Sequence, residues 1–285
     1  MPVAFARRPA PCAIGVIVAT RRRPALLRAA AASVGGQGRR PRELVVVNDG
    51  GPVADTAPAD LSPGAGAVPV RVVCLADRAG HVAARTLAVG LCRGDAVAVL
   101  DDDDLWLPDH LADVAGALDD GADLAYSDAE LVYVDRSVGM PAPVLARRLF
   151  ALDADAAFAR RYNPVVPSAM AFRRSLFDRL GGFRLESGHH WDWDFVLRAL
   201  ESGARVRRVP RATIVYTLDR GGTNESARTE EMRQSVERLS ERHALATRAP
   251  HTFWTMLDEP DVRARQAASE RPWSGACPGV LTAAR

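Results

Sequence analysis

Residues 96–108 read AVAVLDDDDLWLP: an apolar run, Ala96–Leu100, then four consecutive aspartates, Asp101–Asp104, then Leu105, Trp106, Leu107 and Pro108. The pattern is that of a buried strand ending in concentrated negative charge and handing over to a helix opened by the proline. Carboxylates about 4 Å apart repel by roughly 4 kcal/mol per pair at an effective dielectric near 20, so a site that gathers them needs compensation. A divalent cation is the simplest compensation. A solvated acidic turn ahead of a helix accounts for one or two of the aspartates, because carboxylates are favoured there, but not easily for four beside a buried strand.

Outward from this stretch, strand-like runs at Ala13–Ala19, Glu43–Asn48 and Val70–Leu75 precede it, with helical periodicity between them. Pro24 starts a helix with Leu26, Leu27, Ala30, Ala31 and Val34 on one side, stopped by Gly35 and Gly36. Residues 81–92 turn Ala84, Leu87, Ala88 and Leu91 inward, and a helix from Pro108 does the same with Leu111, Val114, Ala115 and Leu118. Alternating βα units predict an α/β fold on a parallel sheet. Beyond Gly121 the pattern is less regular. Short β-like pieces at 124–126, 129–134, 168–172 and 206–209 mix with helical stretches near 151–160, 175–180 and 191–201, which predicts a mixed sheet whose second half builds a different pocket. Residues 53–68 read as a surface loop and 230–242 as an exposed helix of alternating charge. The predicted organisation is one domain over residues 12–245 and a C-terminal extension over 246–285, partly docked or disordered, with Trp254 and Trp273 favouring docking.

A chain of 285 residues can bury a large core, and a net charge of +2 gives no single-signed field, which argues against a nucleic-acid partner. All 37 basic residues are arginine. The absence of lysine excludes a Walker A loop and Schiff-base catalysis, whereas guanidinium forks suit bidentate recognition of phosphate. The four cysteines, Cys12, Cys74, Cys92 and Cys277, show no C-x-x-C spacing and fit a reducing compartment. No apolar stretch approaches the roughly 20 residues of a membrane span. Arg7 and Arg8 precede the apolar Ala13–Ala19, but Arg21–Arg23 follow it where a secretory signal has its small-residue cleavage site. The expectation is a cytoplasmic protein without a transmembrane segment, free or resting peripherally on the inner membrane face.

In open α/β sheets ligands bind at the carboxyl ends of the strands. Thr20 follows the first run, Asn48 and Asp49 the second, and Asp101–Asp104 the fourth, while Arg85 sits on the helix leading into the fourth. Acceptors for a base, a cation for a diphosphate and oxygen ligands for a metal thus converge. Asn48-Asp49-Gly50-Gly51 is also a strong turn sequence.

The segments IGVIVATRRRPALLRAAAASV (14–34), ELVVVNDGG (43–51), HVAARTLAVGLCRGDAVAVLDDDDLWLP (81–108), GGF (181–183) and WDWDFVLRALESG (191–203) resemble, in order and approximate spacing, the inverting glycosyltransferases of family 2. The resemblance runs from about Ala13 to Ser226. It implies the GT-A fold, a Rossmann-like nucleotide-diphospho-sugar transferase fold with a mixed central sheet. It implies transfer of a sugar from a UDP-, GDP- or dTDP-sugar to an acceptor hydroxyl of unspecified class, assisted by Mn2+ or Mg2+. By the same resemblance Asp49 accepts from the nucleotide base, Thr20 contacts the nucleoside, and Arg85 approaches the diphosphate with Arg220 in support. Asp101 and Asp103 match the acidic motif, with Asp103 the more direct metal ligand, Asp102 variable and Asp104 capping the following turn.

Asp192 matches the base that removes the acceptor's proton, although Trp191 stands where a glutamate is common; the competing role for Asp192 is a helix N-cap. Asp219–Ser226 resembles the loop that folds over the donor, with Asp219 where many members place a metal-holding histidine. His189 and His190 read as surface residues, Trp106 and Trp193 as core. Two other readings compete. A phosphohydrolase of the haloacid dehalogenase type shares Asp-x-Asp after a strand but needs a lysine this chain lacks. A non-catalytic sugar-nucleotide-binding protein fits the degenerate Trp191 and Asp219.

Overall fold

The computed structural model describes residues 11–61, 68–222, 229–245, 251–277 and 279–282. Arg7, Arg8 and residues 223–226 of the expected donor loop lie outside the described residues. The four apolar runs form β1 (Ile14–Thr20), β2 (Leu44–Asn48), β3 (Val70–Cys74) and β4 (Ala96–Val99), parallel in the order β3-β2-β1-β4. The helices are α1 (Pro24–Gly35), α2 (Pro58–Leu61), α3 (His81–Leu91), α4 (His110–Asp119), α5 (Ala156–Ala159), α6 (Arg174–Arg179), α7 (Trp191–Glu201), α8 (Thr229–His243), α9 (Phe253–Met256) and α10 (Pro260–Ala264).

Strands covered on both faces read as unbroken apolar runs because both alternating sets of side chains are inside. Ile14, Val16 and Val18 meet Leu27, Ala30, Leu111 and Val114 of α1 and α4 on one face. Ile17, Val45 and Val97 meet Ala84, Ala88, Phe195 and Val196 of α3 and α7 on the other.

The second half departs from the parallel pattern as predicted, but with longer strands. β5 (Leu105–Trp106), β6 (Leu124–Val134), β7 (Ala142–Phe150), β8 (Met170–Arg173), β9 (Val206–Asp219) and β10 (Leu281–Thr282) complete a mixed sheet. β8 pairs antiparallel with β4 and with the start of β6; the rest of β6 pairs antiparallel with β7, and β9 runs parallel along all of β6 and also holds β5. The two predicted pieces at 124–126 and 129–134 are one strand. Their apparent break is Asp128, a register shift whose carboxylate takes two bonds from Arg208 at 2.7 and 2.6 Å. β9 continues through Pro210, and β7, with Pro143 and two arginines, carries no strand signal in the sequence.

Helix details also differ. α3 buries Val82, Ala84, Arg85, Ala88 and Val89, while Leu87 is 36% exposed, so its inner face is rotated toward Arg85. The stretch near 151–160 reduces to α5, capped by Asp155, which accepts from the Phe158 amide at 2.8 Å. α8 is not simply exposed: Val236 and Leu239 pack on Trp193 and Leu197 of α7. The C-terminal residues dock through β10 on β7 and through Arg271, which grips the fully buried Glu130 with two bonds of 2.6 and 2.7 Å. No helix among the described residues is long and apolar enough to cross a membrane.

Candidate active site

The carboxyl ends of β1, β2 and β4 open on a cleft of about 340 Å³. It lies where the strand order reverses between β1 and β4, the expected crevice of such a sheet. The opposite wall is the first turn of α7, residues 161–163, Met232 of α8 and residues 251–253 and 256. Thr20, Asp49, Arg85, Asp101, Asp103 and Asp192 all line it. Arg220 does not line it: its side chain is 67% exposed and its recorded acidic neighbour is Asp135 at 3.8 Å. Asp219 also lies off the lining, where its Oδ1 accepts from the Arg136 amide at 3.0 Å.

The four aspartates divide into two roles. Asp104 caps no turn. Its buried carboxylate accepts from Ser168 Oγ at 2.5 Å and from the Thr217 amide at 2.9 Å, tying the end of β4 to β9. The other three face the cleft against arginines. Arg85 Nη2 bonds Asp101 Oδ1, and Arg23 Nη1 lies 3.1 Å from both Asp102 Oδ1 and Asp103 Oδ2. Thr20 Oγ1 donates to Asp102 Oδ2 at 2.6 Å, so this hydroxyl orients the acidic cluster. Thr217 Oγ1 and Arg136 Nη2 hold the Asp103 carbonyl at 2.5 and 3.2 Å. Burial and then the neighbouring Asp103 push the Asp102 carboxyl up to about 6.

Asp49 sits in the predicted turn. Gly50 follows with φ +72°, and a Cβ there would lie 2.7 Å from the Arg78 amide, so glycine is required. The Asp49 carboxylate accepts from the amides of Ala79 (2.6 Å) and Gly80 (3.2 and 3.1 Å), which fixes the start of α3. Arg85, one turn on, is 8% exposed; Nη1 donates to the His81 carbonyl at 3.0 Å, and Nε is buried without a hydrogen-bond partner among the described residues. Its guanidinium lies 4.9 Å from the Trp191 ring centre, a cation–π contact, so the tryptophan at the usual glutamate position supports the arginine with a π face instead of a charge.

Asp192 is in the first turn of α7, and the N-cap residue is His190, so Asp192 is not the N-cap. The residue is 4% exposed, and its carboxyl accepts from Asn163 Nδ2 at 2.7 Å. Burial pushes it up to about 7, against the opposing hydrogen bonds from the Trp193 amide and Asn163. Asp194, two residues on, points into the body, bonded to Arg198 Nε (2.7 Å) and to His243 Nε2 (2.9 Å). His190 is buried against Ser235 Oγ at 2.9 Å, and burial lowers it to about 4; it is no surface residue. His189 stacks on His81 at 5.3 Å. Trp106 is core, donating to the Ser168 carbonyl at 2.7 Å, and so is Trp193, packed against Val236 and Leu239 with its Nε1 on the Ala159 carbonyl, although it also lines the cleft.

Three contributors carried no signal of their own: Arg23 is one of three adjacent arginines, Asn163 lies in irregular chain, and residues 251–256 follow the loss of periodicity. The donor set suits a hard divalent ion. Among the described residues no three His, Cys, Asp or Glu side chains form a metal cage. Mg2+ and Mn2+ need only one or two carboxylates completed by water and phosphate oxygens, which Asp101 and Asp103 can supply.

A model of the family described as Glycosyl transferase family 2 matches residues 15–181. The uncharacterized glycosyltransferase YwdF of Bacillus subtilis (strain 168) is 37% identical over 267 residues, 92% of this chain and 96% of that protein. Among solved structures, S. aureus TarS 1-349 superposes with a TM-score of 0.56 at 18% identity, over 80% of this chain and 65% of that one, under two thirds of its length. A mannosyltransferase, PcManGT from Pyrobaculum calidifontis, solved with GDP-Man and Mn2+, gives 0.53 at 20% identity, over 85% and 68%. The curled mixed sheet is the GT-A fold these structures share.

Proposed function

The chain belongs to glycosyltransferase family 2, and from that premise we propose that it moves a sugar, with inversion, from a nucleotide-diphospho-sugar to an acceptor hydroxyl, with Asp192 as base. The observation that carries this reading is the Asp192 carboxyl, buried in the same cleft as Asp101–Asp103 and poised near 7. A base works best with a pKa close to the working pH. Asp192 takes the acceptor's proton; the oxygen attacks the anomeric carbon; the C1–O bond breaks, and the nucleoside diphosphate leaves from the opposite face. A single displacement is favoured because Asp194, the neighbouring carboxylate, is committed to Arg198 and His243.

Asp101 and Asp103 would hold Mn2+ or Mg2+, which when bound neutralises charge developing on the leaving diphosphate. Arg85, whose Nε beside the acidic cluster has no partner among the described residues, binds the same diphosphate. Asp49 and Thr20 shape the nucleoside end, Asp49 through the Ala79–Gly80 backbone and any remaining lone pair toward the base. TarS solved with UDP and the mannosyltransferase solved with GDP-Man and Mn2+ share the fold, which supports a nucleotide-sugar donor. The membership argues against a phosphohydrolase and against a purely binding role.

The test is transfer from a panel of nucleotide-sugars with Mn2+, with the product anomer read by NMR. Asp192→Asn is expected to cost roughly 10²-fold or more in turnover while donor binding persists. Turnover unchanged in that variant, or a retained anomer, overturns the assignment.

A further inference from the structure

Arg23 has a place in the site that the reading above does not use. It precedes Pro24 at the head of α1, lines the cleft, and puts one Nη1 at 3.1 Å from both Asp102 and Asp103. Arg85 pairs with Asp101 and Arg23 is shared by Asp102 and Asp103, so two guanidiniums stand against the three cleft-facing carboxylates. A divalent ion on Asp101 and Asp103 would compete with these arginines for the carboxylates and repel their charge. The other carboxylates among the described residues lining the cleft are Asp49, bonded to the Ala79 and Gly80 amides, and Asp192, bonded to Asn163. A guanidinium lining the cleft matches an arriving diphosphate in a bidentate geometry.

We propose that Arg23 holds the place of the divalent cation in the empty site and passes to the donor's diphosphate when the cation enters, so that cation and nucleotide diphosphate bind with positive coupling. The inference rests on the donor reading above. Because the coupling is reciprocal, each ligand should tighten the other by the same factor.

Mn2+ binding to the full chain is measured by electron paramagnetic resonance of the free ion, with and without UDP, GDP or dTDP. The unaltered protein should bind Mn2+ weakly alone and about fivefold or more tightly with nucleotide, within the usual span of coupling. Arg23→Gln, which removes the charge but keeps a polar side chain, should bind Mn2+ alone about fivefold more tightly and lose the share of the coupling that Arg23 carries, leaving the share due to phosphate oxygens on the ion. Arg23→Lys, which keeps a charge without the fork, should fall between, and it carries the comparison if Arg23→Gln does not fold. Variants that bind Mn2+ alone no more tightly than the parent, or that keep its full coupling, overturn the role of Arg23. A parent that binds none of the three nucleotides with Mn2+ overturns the donor reading and this inference with it.

Discussion

A buried carboxylate is held neutral by its surroundings unless specific donors favour its charge. At Asp192 burial outweighs Asn163 and the Trp193 amide. Asn163→Ala removes a donor that favours the ionised form, so the acidic limb of the kcat/KM profile, expected near 7 in the parent, should move to higher pH; a limb that stays put in a pH–rate series counts against Asp192 as the base. The same raised pKa makes the protonated carboxyl a source of stability, fully present below the unfolded value near 4 and lost as pH rises through about 7. Asp192→Asn should therefore melt no lower than the parent at pH 8 by calorimetry, even as turnover collapses. Asp192 was legible in the sequence because it stands in a recurring motif; Asn163 was not, because nothing local marks an amide as the partner of a residue 29 positions on.

At the scale of elements, the acidic loop is shaped by what it touches beyond β4. Asp104 bonds Ser168 and the Thr217 amide, and Thr217 in turn holds the Asp103 carbonyl. Asp104→Ala leaves a buried hydroxyl and a buried amide unpaired, at about 1–3 kcal/mol for each group. Urea denaturation should show a loss of about 2–6 kcal/mol, with weakened Mn2+ binding because the Thr217 amide no longer holds the acidic loop to β9. The strands β1 to β4 could be read from apolar runs and their flanking turns. β7 and the far part of β9 could not, since Pro143, Pro210 and the interspersed arginines erase the period of two.

Over the whole molecule, the C-terminal residues form part of the cleft wall, and among the ion pairs that fasten them one reaches a buried carboxylate of the sheet. Arg271 satisfies both oxygens of Glu130, a carboxylate with no exposure in the middle of β6. Removing one partner of a buried pair costs about 3–5 kcal/mol, and since Arg271 is 40% exposed the lower end applies. Arg271→Ala should lose about 3 kcal/mol in urea denaturation. Glu130→Gln with Arg271→Ala should recover part of that loss, because the uncompensated charge is gone; a double variant as unstable as the single one would mean the pair is not what fastens the tail.

The chain by itself determined the parallel half of the sheet, the turn that presents Asp49, the acidic quartet after β4 and the helix that starts beside Asp192. Each is a local matter of side-chain period, turn chemistry or a motif within a few residues. Tertiary structure decided which aspartates face arginines and which one braces β9, the face of α3 that carries Arg85 inward, the course of β6, β7 and β9, and the use of residues 251–256 as a wall. Those outcomes depend on partners far along the chain: a charge inside a strand or cleft is stable only where a distant residue neutralises it, and no local pattern records that meeting.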